Sequence, residues 1–398
     1  MPKDTSPTET AQNSHGFIPI PVTLSLTDEG ASLFSKIPNS IKQVKNKDGV
    51  SRLGMQSHQY NATSVQKLIM NGYVEEILVS MPELLKYRKE VLDTNALVVF
   101  GVLYKKLTPN LMKMFLESNI LKEYNRKNVK NPIVGLSSID KKSAEMLLVS
   151  KKAVFEVLTL ELKNDVIQLI ISESGLGEED KFIRMRSLEK FIDYIDRRIW
   201  YLYYILYHTP GKAEVREAFA RMIAKYLDRT KLATHLGNLL MEFVQNAEKV
   251  HFEKVYRENS MGHKDEFDKF LKVKKNREDL NQLAIKMKQN LQVAWKMNSE
   301  HSGSGNEYRI QILVSNRGVI GEMVRKNLQE KMRVDVDGVS VADFYKQSAD
   351  AEKLGAGLGM LYISYLEEMC HKEKIRFNCQ IFPETNRDIT TVKVDFSL

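Results

Sequence analysis

Residues 353–363 read Lys353-Leu354-Gly355-Ala356-Gly357-Leu358-Gly359-Met360-Leu361-Tyr362-Ile363. Three glycines at spacing two open an apolar stretch of helical character. Glycine adopts positive φ and lets a ligand approach the backbone closely. The N–H groups at the start of the following helix favour an anion. The stretch reads either as a phosphate cradle or as a tight packing loop. The choice depends on what the rest of the chain brings to it.

Upstream, residues 232–250 carry Leu232, Leu236, Leu239, Leu240, Phe243, Val244, Ala247 and Val250 on one stripe of a helix. At about 100° per residue, Glu242 and Asn246 share one border of that stripe. A carboxylate and a carboxamide four residues apart suit a metal or a polarised water. They equally suit a solvated pair beside a core. Residues 291–297 and 308–314 alternate apolar and polar, which predicts a β-hairpin ending at Ser315-Asn316-Arg317-Gly318. Beyond the glycine stretch the spacing predicts a helix over 360–371, then a terminal hairpin of strands 374–382 and 390–396.

In this order the motifs resemble the ATP-binding domain shared by histidine kinases, type II topoisomerases, a class of heat-shock chaperones and MutL, the GHKL family. The resemblance covers residues 231–398. It implies an α+β protein with a C-terminal α/β sandwich of the Bergerat type, binding ATP and Mg²⁺. Carried onto this chain, it implies that Asn246 holds the metal, Lys249 meets phosphate, and Glu242 polarises water or assists proton transfer. Asn316 stands where the family places the Asp that accepts from the adenine amino group, with Gly318 in the same turn and Ile320 where a second glycine is usual. Gly355, Gly357, Leu358 and Gly359 would receive the phosphates, and residues 322–354 would be a lid. A kinase of this type needs an acceptor histidine on a helical hairpin, and His208 in Tyr207-His208-Thr209-Pro210 is the candidate.

The rest of the chain is expected to be mainly helical, apart from an extended stretch over 17–22 that Leu24-Ser25-Leu26 would continue and a basic loop over 42–52. Residues 1–16 are polar and read as a disordered tail. Residues 17–180 read as a mainly helical domain of unassigned role. Residues 64–92 are expected to be helix, as are 95–106 and 111–124, separated at Thr108-Pro109-Asn110. Residues 181–230 read as a helical hairpin, with one helix over 181–208, and such a hairpin could pair with a second copy to make a homodimer. Residues 253–289 are Lys-rich and read as an exposed helical insertion.

The 398 residues give Lys+Arg 59 against Asp+Glu 51, a net charge of +8 that suits anionic partners. No compact basic motif with base-reading residues stands out, so nucleic acid is not expected as a partner. The two cysteines, Cys370 and Cys379, form no CxxC pair, and a reduced, cytoplasmic protein is the simplest reading. No apolar run is long enough to span a bilayer. The functional expectation is an ATP-binding signalling protein, a kinase or slow ATPase working with a response-regulator-like or other protein partner. The alternative is a catalytically degenerate relative serving as a phosphotransfer, scaffold or interaction module.

Overall fold

The computed structural model describes residues 17–18, 20–57, 60–174, 176–263, 266–302, 305–320, 326 and 358–397. The strands are β1 (Phe17–Ile18), β2 (Val22–Leu26), β3 (Lys42–Lys45), β4 (Ser51–Ser57), β5 (Tyr60–Asn61), β6 (Val74–Met81), β7 (Leu291–Ser302), β8 (Gly305–Arg317), β9 (Arg376–Glu384) and β10 (Ile389–Ser397). The first helices are α1 (Asp28–Phe34), α2 (Ala62–Met70), α3 (Arg88–Glu117), α4 (Asn119–Lys127), α5 (Lys141–Ser150) and α6 (Lys152–Ser172). They are followed by α7 (Glu178–Tyr194), α8 (Arg197–Tyr207), α9 (Lys212–Asp228), α10 (Lys231–Glu258), α11 (Phe267–Leu271), α12 (Lys274–Lys286) and α13 (Leu358–Lys372). The chain is α+β, as expected. Among the described residues no helix is long and apolar enough to cross a membrane.

Eight strands form one antiparallel sheet in the order β3-β4-β2-β6-β7-β8-β10-β9. Its centre is the pairing of β6 with β7, in which Met81 faces Leu291 and Ile77 faces Trp295. The expected divisions at 180/181 and 230/231 therefore cut across one sheet and one continuous core. Side chains alternate across the sheet. Val293, Trp295, Ile310, Ile312 and Val314 are buried in the core, where α3 and α10 pack on β7 and β8. The alternate residues of β8 carry a polar ladder in which Arg309, Gln311 and Lys393 gather around Asp395. Lys296 on β7 similarly pairs with Asp48 and Glu76. Helices cover one face, and charge covers much of the other.

Residues 64–92 are where the sequence misleads. The expected helix over 64–92 stops at Met70, because Gly72 takes φ +76 and Tyr73 N–H bonds back to the Leu68 carbonyl. That is a glycine C-terminal stop. Val74, Ile77 and Val79 then bury themselves in a strand. The mainly helical character expected of 17–180 holds from Arg88 onward, whereas 22–81 supplies half the sheet.

Pro109 lies inside α3 rather than between two helices. It removes one backbone donor. Leu107, Leu111, Met112 and Phe115 keep the stripe buried on both sides of it, and that packing outweighs one lost bond. The single helix expected over 181–208 is two, because the Asp196 carboxylate accepts from Arg198 N–H and caps α8 anew. Its stripe, with Leu188, Phe191, Ile199 and Leu202, is buried within the chain among α3, α5, α6 and α9. The Lys-rich 253–289 segment encloses a small core of its own, in which Phe252, Val255 and Tyr256 of α10 meet Phe267, Leu280 and Ala284.

One buried polar residue ties the layers together. Asn95 on α3 accepts from Trp295 Nε1 at 3.3 Å and donates to the Ala233 carbonyl of α10 at 3.0 Å. Asn95→Ala leaves the buried Trp295 Nε1–H without an acceptor, while the Ala233 carbonyl keeps its bond within α10, and should cost about 1–3 kcal/mol. Urea unfolding at neutral pH checks this, and a loss under about 0.5 kcal/mol would show that the bridge is dispensable.

Candidate functional site

Helix α10 packs along β8 and also against α13. Where β8 ends, the chain turns at Gly318 with φ +101, a conformation that favours glycine. The Gly318 N–H donates to the Asp388 carbonyl at 2.8 Å. Asp388, between β9 and β10, pairs its carboxylate with Lys254 of α10. The Thr390 hydroxyl donates to the Gly318 carbonyl at 2.6 Å and accepts from Ile320 N–H at 3.2 Å. Strand β10 thus holds the turn after β8 in one shape. A Cβ placed on Gly318 would lie 3.9 Å from Val250 Cγ1, so the turn abuts α10.

Asn246 lies one helical turn before Val250, and Glu242 lies one turn before Asn246. Both are half-buried. Burial raises the Glu242 carboxyl above the ordinary range, and Arg88 at the start of α3 opposes part of that shift. A carboxylate so placed is more basic than one in water. The Asn246 side chain makes no hydrogen bond among the described residues. Lys249 is half-buried and sits 2.9 Å from Asp268 of α11, so a phosphate would have to compete with that carboxylate.

Asn316 is buried, and its Nδ2 donates to the Arg317 carbonyl at 2.9 Å. The amide nitrogen is thereby engaged, and Oδ1 is left as the acceptor. It stands opposite Thr390 in the β8–β10 register, beside the hydrogen-bonded pair Ser315 and Thr391. Leu358 and Gly359 begin α13. Gly355, Gly357 and the expected lid, apart from Lys326, lie outside the described residues.

His208 is exposed at the C-terminal end of α8, with its ring against Tyr204 and Tyr207. Helix α8 packs on α3, α5 and α9. No described contact brings His208 to α10 or to the end of β8.

Three residues near this site escape sequence reading. Glu248 is buried, accepts from the Leu84 and Leu85 N–H groups at 2.8 and 3.0 Å, and pairs with Arg277. Burial raises its carboxyl, while the two backbone donors and Arg277 pull it down. The available signal was its spacing of four from both Val244 and Phe252, which places it on the apolar stripe. His251 is also fully buried, and neither ring nitrogen has a partner among the described residues. Burial, then the nearby Arg317, lowers its pKa to about 4. Thr390 gives no local sequence signal for its role.

Among the described residues no group of three or more His, Cys, Asp or Glu is arranged to hold a metal. Mg²⁺ prefers oxygen and keeps several waters, so the Asn246 carboxamide could serve it alongside phosphate oxygens. The donor set fits a metal that arrives with a phosphate ligand rather than a resident one.

The fold and the site define a two-layer α+β protein whose helix α10 receives a strand-end turn and the helix that follows the glycine stretch. The chain belongs to a family described as of unknown function (DUF8084), which it matches over residues 13–398. It is similar to an uncharacterized protein of Treponema pallidum (strain Nichols), at 25% identity over 382 residues, covering 95% of this chain and 97% of that protein. No solved structure matches it.

Proposed function

We propose that the protein binds Mg-ATP at the end of β8, between α10 and α13, and acts as a nucleotide-dependent signalling protein with kinase or slow ATPase activity. The observation that carries this reading is convergence on one helix. The Asn316–Gly318 turn abuts Val250, one turn from Asn246, and α13 packs on the same α10. The order β7-β8-β10-β9, with the lid segment leaving β8 and the glycine stretch leading into α13, is the arrangement that a Bergerat-type sandwich would need.

In this reading Asn316 Oδ1 accepts from the adenine amino group. The Asn246 carboxamide oxygen takes one position on Mg²⁺, and the triphosphate and water take the others. Glu242, made more basic by burial, orients or deprotonates the attacking group. Arg317 adds positive charge beside the turn, and Lys254 and Lys249 add more once they release Asp388 and Asp268.

Scanning calorimetry of the full chain tests this reading. ATP should raise the unfolding midpoint more with Mg²⁺ than with a chelator. Asn246→Ala should abolish that difference while leaving the ligand-free midpoint near wild type. An unchanged metal dependence in the variant would refute the metal assignment.

A second reading, a catalytically degenerate relative kept as a phosphotransfer, scaffold or protein-interaction module, is favoured by the Lys249–Asp268 pair, which occupies the lysine a phosphate would need, and by the position of His208 on the helical region. Incubation with γ-labelled ATP separates the two. Label on the protein that is lost in His208→Ala supports the kinase reading, and no label together with no phosphate release supports the second.

A further inference from the structure

A cavity of about 400 Å³ opens between α3 and α9, away from the site just described. Its lining brings together Lys106, Lys113, Lys225 and Arg229, with Glu117 as the one acid. The Lys113–Glu117 pair is long, at 3.9 Å, and exposed, so it neutralises little. A concave site with a surplus of one sign focuses its field and gathers counter-ions.

Two features at the floor are built for an acceptor ligand. The Arg229 guanidinium lies over the Tyr226 ring, 5.8 Å from its centroid. Its Nε is buried and has no partner among the described residues. A buried guanidinium N–H left unpaired is costly, and an anionic oxygen is its natural partner. Beside it, Asn110 Nδ2 donates to the Tyr226 hydroxyl oxygen. Because that oxygen accepts from Asn110, the phenol proton is free to point at a ligand.

We propose that this groove binds a small phosphorylated molecule, with Arg229 and Tyr226 donating to a phosphate at the floor and Lys113 and Lys225 meeting further negative charge at the rim. The volume falls within the ordinary range for small-molecule sites, about 300–1,000 Å³. A surplus of several cations suits a phosphate group over a single carboxylate.

The groove is distinct from the proposed nucleotide site. Burial, with Tyr308 of β8 adding to it, pushes the Tyr226 phenol above its ordinary pKa, which places the start of β8 beside the groove. The Asn316–Gly318 turn is at the other end of that strand, roughly 30 Å away at about 3.3 Å per residue. The groove therefore suits an effector that binds the helical layer, whatever occupies the C-terminal site.

Calorimetric titration of inorganic pyrophosphate into the full chain tests the proposal, with sodium sulfate at matched ionic strength as the control. Wild type and Asn246→Ala should both show saturable binding. Arg229→Gln and Lys225→Gln should each weaken it roughly tenfold, equivalent to about 1.4 kcal/mol. Lys225 is exposed, so its variant should keep the wild-type unfolding midpoint even if Arg229→Gln lowers it. No saturable heat at millimolar pyrophosphate, an equal response to sulfate, or wild-type affinity in both groove variants would each overturn the proposal. So would loss of binding in Asn246→Ala with retention in Arg229→Gln, which would place the anion at the C-terminal site instead.

Discussion

Glu248→Ala is expected to destabilise the protein by about 3–5 kcal/mol, the largest loss among the substitutions considered. The carboxylate is buried on α10 and is the shared partner of three donors: the Leu84 and Leu85 N–H groups and the Arg277 guanidinium. Those donors come from the segment between β6 and α3 and from α12. Removing the carboxylate leaves two backbone donors without an acceptor, and an arginine whose remaining carboxylate partner is Glu83. Each unpaired buried donor costs about 1–3 kcal/mol. Glu248→Gln keeps an acceptor for the backbone and should recover part of the loss. Urea unfolding of the three proteins checks the ranking, with Ala least stable and Gln between. A Glu248→Ala loss under about 1 kcal/mol would show that these donors find water instead.

The second large effect is on pH dependence. His251 has a folded-state pKa of about 4, against an ordinary value of 6.5. Above pH 6.5 the imidazole is neutral in both states, and its contribution to folding is complete. As pH falls from 6.5 towards 4, the unfolded chain takes up the proton first, so the folded state loses ground. At about 1.36 kcal/mol per pH unit, the loss across that window is about 3 kcal/mol. His251→Phe removes the titration along with two unpartnered buried nitrogens. Near pH 7 the variant should be at least as stable as wild type. By pH 4 it should have gained about 3 kcal/mol relative to wild type. Parallel stability curves for the two proteins over this range would contradict the burial of the neutral ring.

The sequence was most legible where one periodicity dominated. Strands β7 and β8 alternate cleanly, the terminal hairpin follows a clear turn, and the helix after the glycine stretch runs over 358–372 where 360–371 was expected. It was least legible where a run fits two periods. Val65, Leu68, Ile69, Val74, Ile77 and Leu78 satisfy a helical stripe as one run. Only the positive φ of Gly72 divides them into a helix and a strand. The pairing of Met81 with Leu291 is invisible to any local window, because its partners are far apart in sequence and the hydrogen bonds are between backbones. The sheet that joins the two ends of the chain therefore could not be read, and the expected domain divisions followed from that.

The site divides the same way. Glu242 and Asn246 were placed correctly on the border of the α10 stripe, because helix geometry alone fixes that position. Glu248 and His251 were passed over because a polar residue on an apolar stripe has no meaning until its partners are known. For Glu248 those partners come from residues 84–85 and 277, whereas His251 has none for its ring nitrogens among the described residues and feels the charge of Arg317 at the end of β8. The role of Thr390 likewise depends on which strand lies beside β8.

The most direct test of nucleotide binding is isothermal titration of Mg-ATP into the full chain. A fragment over 231–398 would expose the β7 edge that β6 covers and remove α3 from the core, so it would not report on the site fairly. The expected result is saturable binding that weakens at least tenfold in Asn246→Ala and in Asn316→Leu. No binding at millimolar Mg-ATP by a protein that unfolds cooperatively would contradict it.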